Sequence, residues 1–275
     1  NPNLQQIPAR NIDIKNKIRS LFIPDEGQRW GSFDYSQQEP RLVVHFAEHV
    51  NEVDGFNYLS KHAPMRTKEF ITGYRGGKAD FHTMVADMAG IAKTINLGLF
   101  YGMGKGKLKE QLGINEETAE TLIDDYNQKV PFVKQLSQRA MEAMDKKGFV
   151  TTVGGRRCRS FGYVSNRWGK RGFFKTEKEA EEEFGKYGYK KAYTYRALNK
   201  LVQGSAADQT KKAMVDLYEQ DGIIPHIQVH DELNISVADE QQAKKIAKKM
   251  ERCMMLKVPS KVDYDLADNW GSAKK

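Results

Sequence analysis

The chain has 275 residues, enough to bury a substantial core as one large domain or two closely joined ones. Hydrophobic residues make up 39% and charged residues 29%, and no apolar run approaches the roughly 20 residues needed to cross a bilayer. The composition therefore excludes a helical membrane protein, and a formal net charge of +8 favours a polyanionic partner, although Lys244, Lys245, Lys248 and Lys249 by themselves also fit one solvated helix face.

Two cysteines, Cys158 and Cys253, stand far apart in sequence without zinc-site spacing, so free thiols in a reducing compartment are expected. The opening Asn1-Pro2-Asn3-Leu4 has neither the basic nor the apolar region of a signal peptide, and no initiator Met. The chain is expected to begin inside a longer, intracellular protein.

In chain order, residues 29–35 (RWGSFDY) read as a strand. Leu42, Val43, Phe46 and Ala47 recur at helical spacing and predict an amphipathic helix over 36–48. Residues 51–78, richer in Gly and Lys, are expected to form a loop-bearing excursion. Helices are predicted at 92–101, 116–128 and 132–147, the last preceded by Pro131 and closed by Gly148 after two lysines. An extended piece at 149–153 meets a turn at Gly154-Gly155.

Residues 161–191 interleave Phe161, Tyr163, Trp168, Phe173 and Phe174 with Lys and Arg before the acidic run EKEAEEE. This surface insertion reads equally as a nucleic-acid contact or as a solvated loop with a short charged helix. Helices at 192–201 and 204–220 follow. Two β-rich runs, 223–229 and 233–237, flank His230-Asp231-Glu232 and predict a hairpin. A basic helix at 239–255 and a strand at 262–266 complete an α+β layout, an antiparallel sheet with helices packed on one side.

Asp34 lies at the end of the first strand and Asp231 in the hairpin turn. Each alone is as well explained as a turn former, and Asp34 also as a helix cap. On neighbouring strands, however, two carboxylates repel unless a cation lies between them, and hard divalent ions take oxygen ligands while leaving room for phosphate oxygens. Two such ions suit nucleotidyl transfer.

The segment DYSQQEPR (34–41) resembles motif A of family A DNA polymerases, the bacterial polymerase I group and its phage relatives, and VHDEL (229–233) resembles motif C. The resemblance implies that Asp34 and Asp231 hold two Mg²⁺ ions, with Mn²⁺ able to substitute, and that the Tyr35 backbone carbonyl adds a ligand. It implies that Glu39 crowds the sugar 2′ position and excludes ribonucleotides. Glu232 and His230 would support the turn, and Arg41 would be structural. Pro40 departs from the usual Leu at little cost in the first turn of a helix.

AKTINLGLFYG (92–102) resembles motif B, the nucleotide-binding helix of the fingers. Lys93, Leu97 and Tyr101 share one helix face. By resemblance Lys93 binds the triphosphate, Tyr101 stacks near the templating base, and Leu97 replaces the family's usual aromatic residue. The Arg usually found four residues before the Lys is Ala89 here, so a stretch between about Gly90 and Ala92 is expected to be missing.

Further matches in family order are DFHT (80–83), whose His82 would meet the triphosphate, and the segment 152–157, whose Arg156 and Arg157 would meet the nucleic-acid backbone. In the 199–208 stretch, Asn199 and Gln203 would contact DNA, as would Gln228. NPNLQQIP at the start resembles the return of the thumb to the palm.

The resemblance thus implies a right-hand fold without its thumb: palm at 1–48 and 195–275, and a mainly helical fingers region at 49–194. The implied activity is template-directed DNA synthesis on primer-template DNA with dNTPs and no membrane, in a bacterial or phage-infected cell, phage being favoured by Leu97 and the insertion. A single-subunit RNA polymerase and a catalytically inactive DNA-binding module are the alternatives. Glu39 argues against the first, and the intact acidic pair against the second.

Overall fold

The computed structural model describes residues 7, 12–54, 63–77, 98–99, 101–167, 169 and 171–273. The first half runs α1 (Ile12–Arg19), β1 (Arg29–Tyr35), α2 (Gln38–Asp54), α3 (Ala63–Arg75), α4 (Lys105–Leu112), α5 (Glu116–Lys129) and α6 (Pro131–Lys147). There follow β2 (Phe149–Thr151), β3 (Arg157–Arg159), β4 (Tyr163–Ser165), β5 (Phe173–Phe174), α7 (Glu177–Phe184) and β6 (Tyr189–Lys191). A 3₁₀ turn (Thr194–Arg196) leads into α8 (Ala197–Asp221), then β7 (Ile227–Val229), β8 (Glu232–Val237), α9 (Glu240–Arg252) and β9 (Val262–Ala267). Two compact units contain them: Asn1–Arg41 with Ala206–Lys275, and Leu42–Ser205.

The first unit holds a four-stranded sheet in the order β7-β8-β1-β9, antiparallel throughout. Strand alternation sends Phe33, Tyr35, Leu233, Ile235 and Val237 to one face. There they are buried against Ala213 and Leu217 of α8 and against Ala243, Ile246, Ala247 and Met250 of α9. Those four α9 positions recur at i, i+3, i+4 and i+7, the spacing of a single apolar stripe. Asp239 caps this helix by accepting from the Gln242 N–H at 2.7 Å. The expected α+β sheet with helices on one side is thus present. The opposite face carries a smaller cluster, Trp30, Ile227 and Trp270, with Ile7, Phe22 and Val229 packed on it.

In the second unit α3 lays Phe70 against Phe132 of α6, with ring centroids 5.2 Å apart. Asn115 caps α5, accepting from the Thr118 N–H, and Pro131 opens α6, which ends at Gly148 in the left-handed region (φ 78°). The β2–β3 hairpin follows. A three-stranded sheet, β5-β4-β6, is then covered by α7, whose N-terminus is closed by a reciprocal Thr176–Glu179 capping box.

One expectation needs correction and two are sharpened. Within residues 51–78 the described parts are helical: α2 runs to Asp54, and α3 forms because Phe70, Ile71 and Tyr74 make a buried helical face. The helices expected at 192–201 and 204–220 are one helix, α8, which passes straight through Gly204. A Cβ there would lie 2.9 Å from Thr152 Cγ2 and 3.1 Å from Cys158 Sγ, so Gly204 admits the β2–β3 hairpin rather than breaking the helix. The insertion at 161–191 contains the expected short charged helix, α7, packed on a three-stranded sheet where a solvated loop was the alternative. The helix expected at 92–101 lies largely outside the described residues.

Candidate active site

β1 is the second strand from one edge of the sheet, and its register carries Asp34 opposite Glu232 of β8 on one side and Asp263 of β9 on the other. Cross-strand partners share a face, so these three acidic residues lie side by side on the face opposite α8 and α9. Asp231 directly precedes Glu232 in a two-residue turn, since Val229 pairs with Glu232 and leaves only His230 and Asp231 between. The turn is closed by His230 in the left-handed region (φ 54°). The Gln228 side chain donates to the His230 carbonyl at 2.7 Å. Asp34, near the end of β1, is therefore brought beside the turn that carries Asp231 into β8.

Burial pushes the Asp231 carboxyl above its ordinary value, opposed by its own backbone N–H and by His230. That environment suits a cation, because a half-buried carboxylate gains most from a positive charge it does not already own. Among the described residues no three His, Cys, Asp or Glu side chains converge on one point. A carboxylate pair plus a backbone carbonyl fits Mg²⁺, which keeps much of its shell for water and phosphate.

The Tyr35 side chain turns into the helix-covered core, where its hydroxyl donates to the Met250 carbonyl at 2.8 Å and lies 3.4 Å from Cys253 Sγ. Burial drives its pKa far upward. Only its backbone is left for the site. Arg41 is buried and donates from Nε to the Ser36 carbonyl at 2.9 Å and from Nη1 to the Pro259 carbonyl, pinning the chain that leaves β1. Glu39 is half-buried in the first turn of α2.

Sequence reasoning missed a polar ladder on the open face. The Trp30 indole N–H and the Ser32 hydroxyl both donate to Asn234 Oδ1, at 2.8 and 2.7 Å. The Asn234 amide donates to Glu232 Oε1 at 2.7 Å, and the Trp270 indole N–H reaches the same oxygen at 3.2 Å. Asn234 is fully buried, so its partners fix it in one orientation, and through it the Glu232 carboxylate beside Asp34. Gln38 was also missed: its buried amide donates to Ala206 O, Gln209 Oε1 and Thr210 Oγ1 at 3.2–3.3 Å, tying the start of α2 to α8. Asp263 could have been found from its alternation in the last strand; its carboxylate lies 2.7 Å from Lys261 Nζ.

The second unit holds the remaining described candidates. Arg156 donates from Nη2 to the Gly204 carbonyl at 2.9 Å and from Nη1 to Cys158 Sγ, which ties the hairpin to α8. Arg157 is exposed, with its guanidinium 4.8 Å over the Phe149 ring. Asn199 and Gln203 lie one turn apart on α8, half-buried and exposed respectively. Tyr101 is half-buried in a turn, its N–H bonded to the Gly98 carbonyl at 3.2 Å. His82, Ala89, Lys93 and Leu97 lie outside the described residues, as does the stretch expected to be missing beside Ala89. No helix among the described residues is long and apolar enough to cross a membrane.

Comparison with known proteins follows the same lines. A DNA-directed DNA polymerase of Pseudomonas phage M6 is 37% identical over 310 residues, covering 98% of this chain and 42% of the relative. DNA polymerase I of Geobacillus stearothermophilus is 32% identical over 283 residues, covering 99% of this chain and 29% of the relative. Among solved structures, the POL domain of Pol1 from M. smegmatis, in complex with DNA primer-template and dNTP, superposes with a TM-score of 0.73 at 26% identity. It covers 100% of this chain and 45% of that one. The chain spans less than half the length of these relatives. A family model for DNA polymerase family A matches residues 1–272; the chain belongs to this family.

Proposed function

We propose that this chain is the palm-and-fingers part of a template-directed DNA polymerase, adding dNTPs to a primer 3′-OH. One observation carries the reading: the β1–β8 register sets Asp34 beside the His230–Asp231 turn on the face left open by the helices. Asp34, Asp231 and the Tyr35 carbonyl would hold two Mg²⁺ ions. Bound there, they supply charge stabilisation to the phosphoryl oxygens.

The chain's own residues supply position. Arg41 and Gln38 fix the segment between β1 and α2, and so hold Asp34, Tyr35 and Glu39 in one frame. Glu39 would crowd a ribose 2′-hydroxyl. Glu232, held by Asn234 and Trp270, stands next to Asp34 and keeps its remaining carboxylate oxygen for the site. Lys93, His82, Tyr101 and Leu97 would form the nucleotide pocket, and Arg157, Asn199, Gln203 and Gln228 would line the primer-template. Arg156, exposed and bonded to the Gly204 carbonyl, would join this second set. In domain terms, 1–48 and 195–275 would be palm and 49–194 fingers. The protein would act inside a bacterial or phage-infected cell.

Primer extension tests the reading. Wild type should extend a primer with dNTPs and Mg²⁺ and discriminate against rNTPs, whereas Asp231→Asn should not extend. Equal extension by the two sinks it.

A further inference from the structure

We propose that the exposed face formed by Phe161, Phe173, Tyr193 and Tyr195, with Arg196 and Lys200, binds single-stranded nucleic acid by stacking unpaired bases on its rings. These four aromatic residues are 43%, 44%, 43% and 58% exposed, yet they touch one another. The Tyr193 ring lies 5.7 Å from Phe161, 6.0 Å from Phe173 and 6.2 Å from Tyr195. Closure of the insertion's own core does not need them, because Phe174 and Phe184 pack at 5.4 Å beneath α7, with Ala180 buried there as well.

The backbone also presents this face. Tyr193 sits in the left-handed region (φ 56°), which a tyrosine adopts only when its surroundings hold it there. Two cations accompany the rings. The Arg196 guanidinium lies 5.0–5.7 Å from Phe161, Tyr193 and Tyr195, and Lys200 Nζ is 3.7 Å over Phe161. Lys200 also donates to the Arg159 carbonyl, joining the face to the β2–β3 hairpin. Every acidic side chain between residues 156 and 200 lies on α7, so the rest of the segment is left basic. Arg196, Asn199, Lys200 and Gln203 recur at three- and four-residue spacing, which continues the face along the start of α8.

Exposed rings beside cations are the elements of a single-strand platform. Duplex hides the faces of its bases, whereas charge alone would hold duplex and single strand alike. The choice of DNA over RNA as the strand bound rests on the polymerase reading above.

The test is fluorescence anisotropy with a labelled oligo(dT) of about 16 nucleotides and a blunt duplex of equal length, without dNTP or metal. Phe173→Leu/Tyr195→Leu keeps apolar bulk but removes two rings. It should weaken oligo(dT) binding by about tenfold or more while leaving duplex binding unchanged. Tyr195→Phe should bind as wild type. Tyr187→Leu, at an 83% exposed ring outside the cluster, should also change nothing. Thermal melting accompanies each variant, and Tyr195→Leu alone carries the test if the double variant melts early. Oligo(dT) binding equal to wild type, or a parallel loss of duplex binding, overturns the proposal. Primer extension by the same preparations is scored separately: its absence in wild type defeats the polymerase reading and leaves the binding result standing.

Discussion

Alternate residues of β1 and β8 face opposite sides of one sheet, and the two sides are made of different chemistry. Phe33, Tyr35, Leu233 and Ile235 disappear beneath α8 and α9, while Ser32, Asp34, Glu232 and Asn234 face the other way. The helix-covered side is apolar and redundant, with many contacts sharing its stabilisation. The other side is mixed: Trp30, Ile227 and Trp270 cluster there, and the polar groups of Ser32, Asn234 and Glu232 are each held by named partners. The lesson concerns register: a slip of one residue would exchange the sides, placing carboxylates in the core and rings in the site. Burial of the first side therefore aligns the second.

Chemistry and stability should separate between the two sides of the sheet. Asp231→Asn should lower kcat for primer extension by at least about 10²–10³-fold, with no loss of melting temperature. A large drop in melting temperature would show the turn to be structural. Leu217→Ala, on the covered side, should destabilise by about 2–5 kcal/mol in denaturant titrations. Its activity per folded molecule should be unchanged, and a fall there would mean the sides are coupled.

Asn234→Leu should raise the Mg²⁺ concentration needed for half-maximal extension by about tenfold, since it frees the Glu232 carboxylate from one of its donors. A lower melting temperature without a shift in the Mg²⁺ requirement would reduce the ladder to packing.

The smallest effect is on pH dependence. Burial raises the folded pKa of Asp231 above its ordinary 3.8, so the stability its protonated form contributes is present below that value and lost as pH rises through the folded one. Melting curves in the absence of metal should show Asp231→Asn gaining on wild type across that window. A constant difference would mean that the carboxyl is solvated.

Much of this was legible in the sequence. The first strand, the hairpin and the acidic pair follow from alternation and turn position, and α5 and α6 from Pro131, Gly148 and their periodicity. The polar ladder was not, because Trp30 and Ser32 meet Asn234 across more than 200 residues, and only the register joins them. At 51–78 the glycines and lysines stood out, and the buried spacing of Phe70, Ile71 and Tyr74 that forms α3 did not. Gln38 gave no signal at all: a glutamine after a glutamine reads as surface until Ala206, Gln209 and Thr210 surround it.

Gly204 has an evolutionary consequence. A helix that touches a hairpin through a missing side chain can lose that glycine only if the hairpin retreats or Thr152 and Cys158 shrink in step. Mutational drift at 152, 158 and 204 should thus be concerted. Descendants of this chain would inherit the three positions as one unit of selection, although they are scattered along its length.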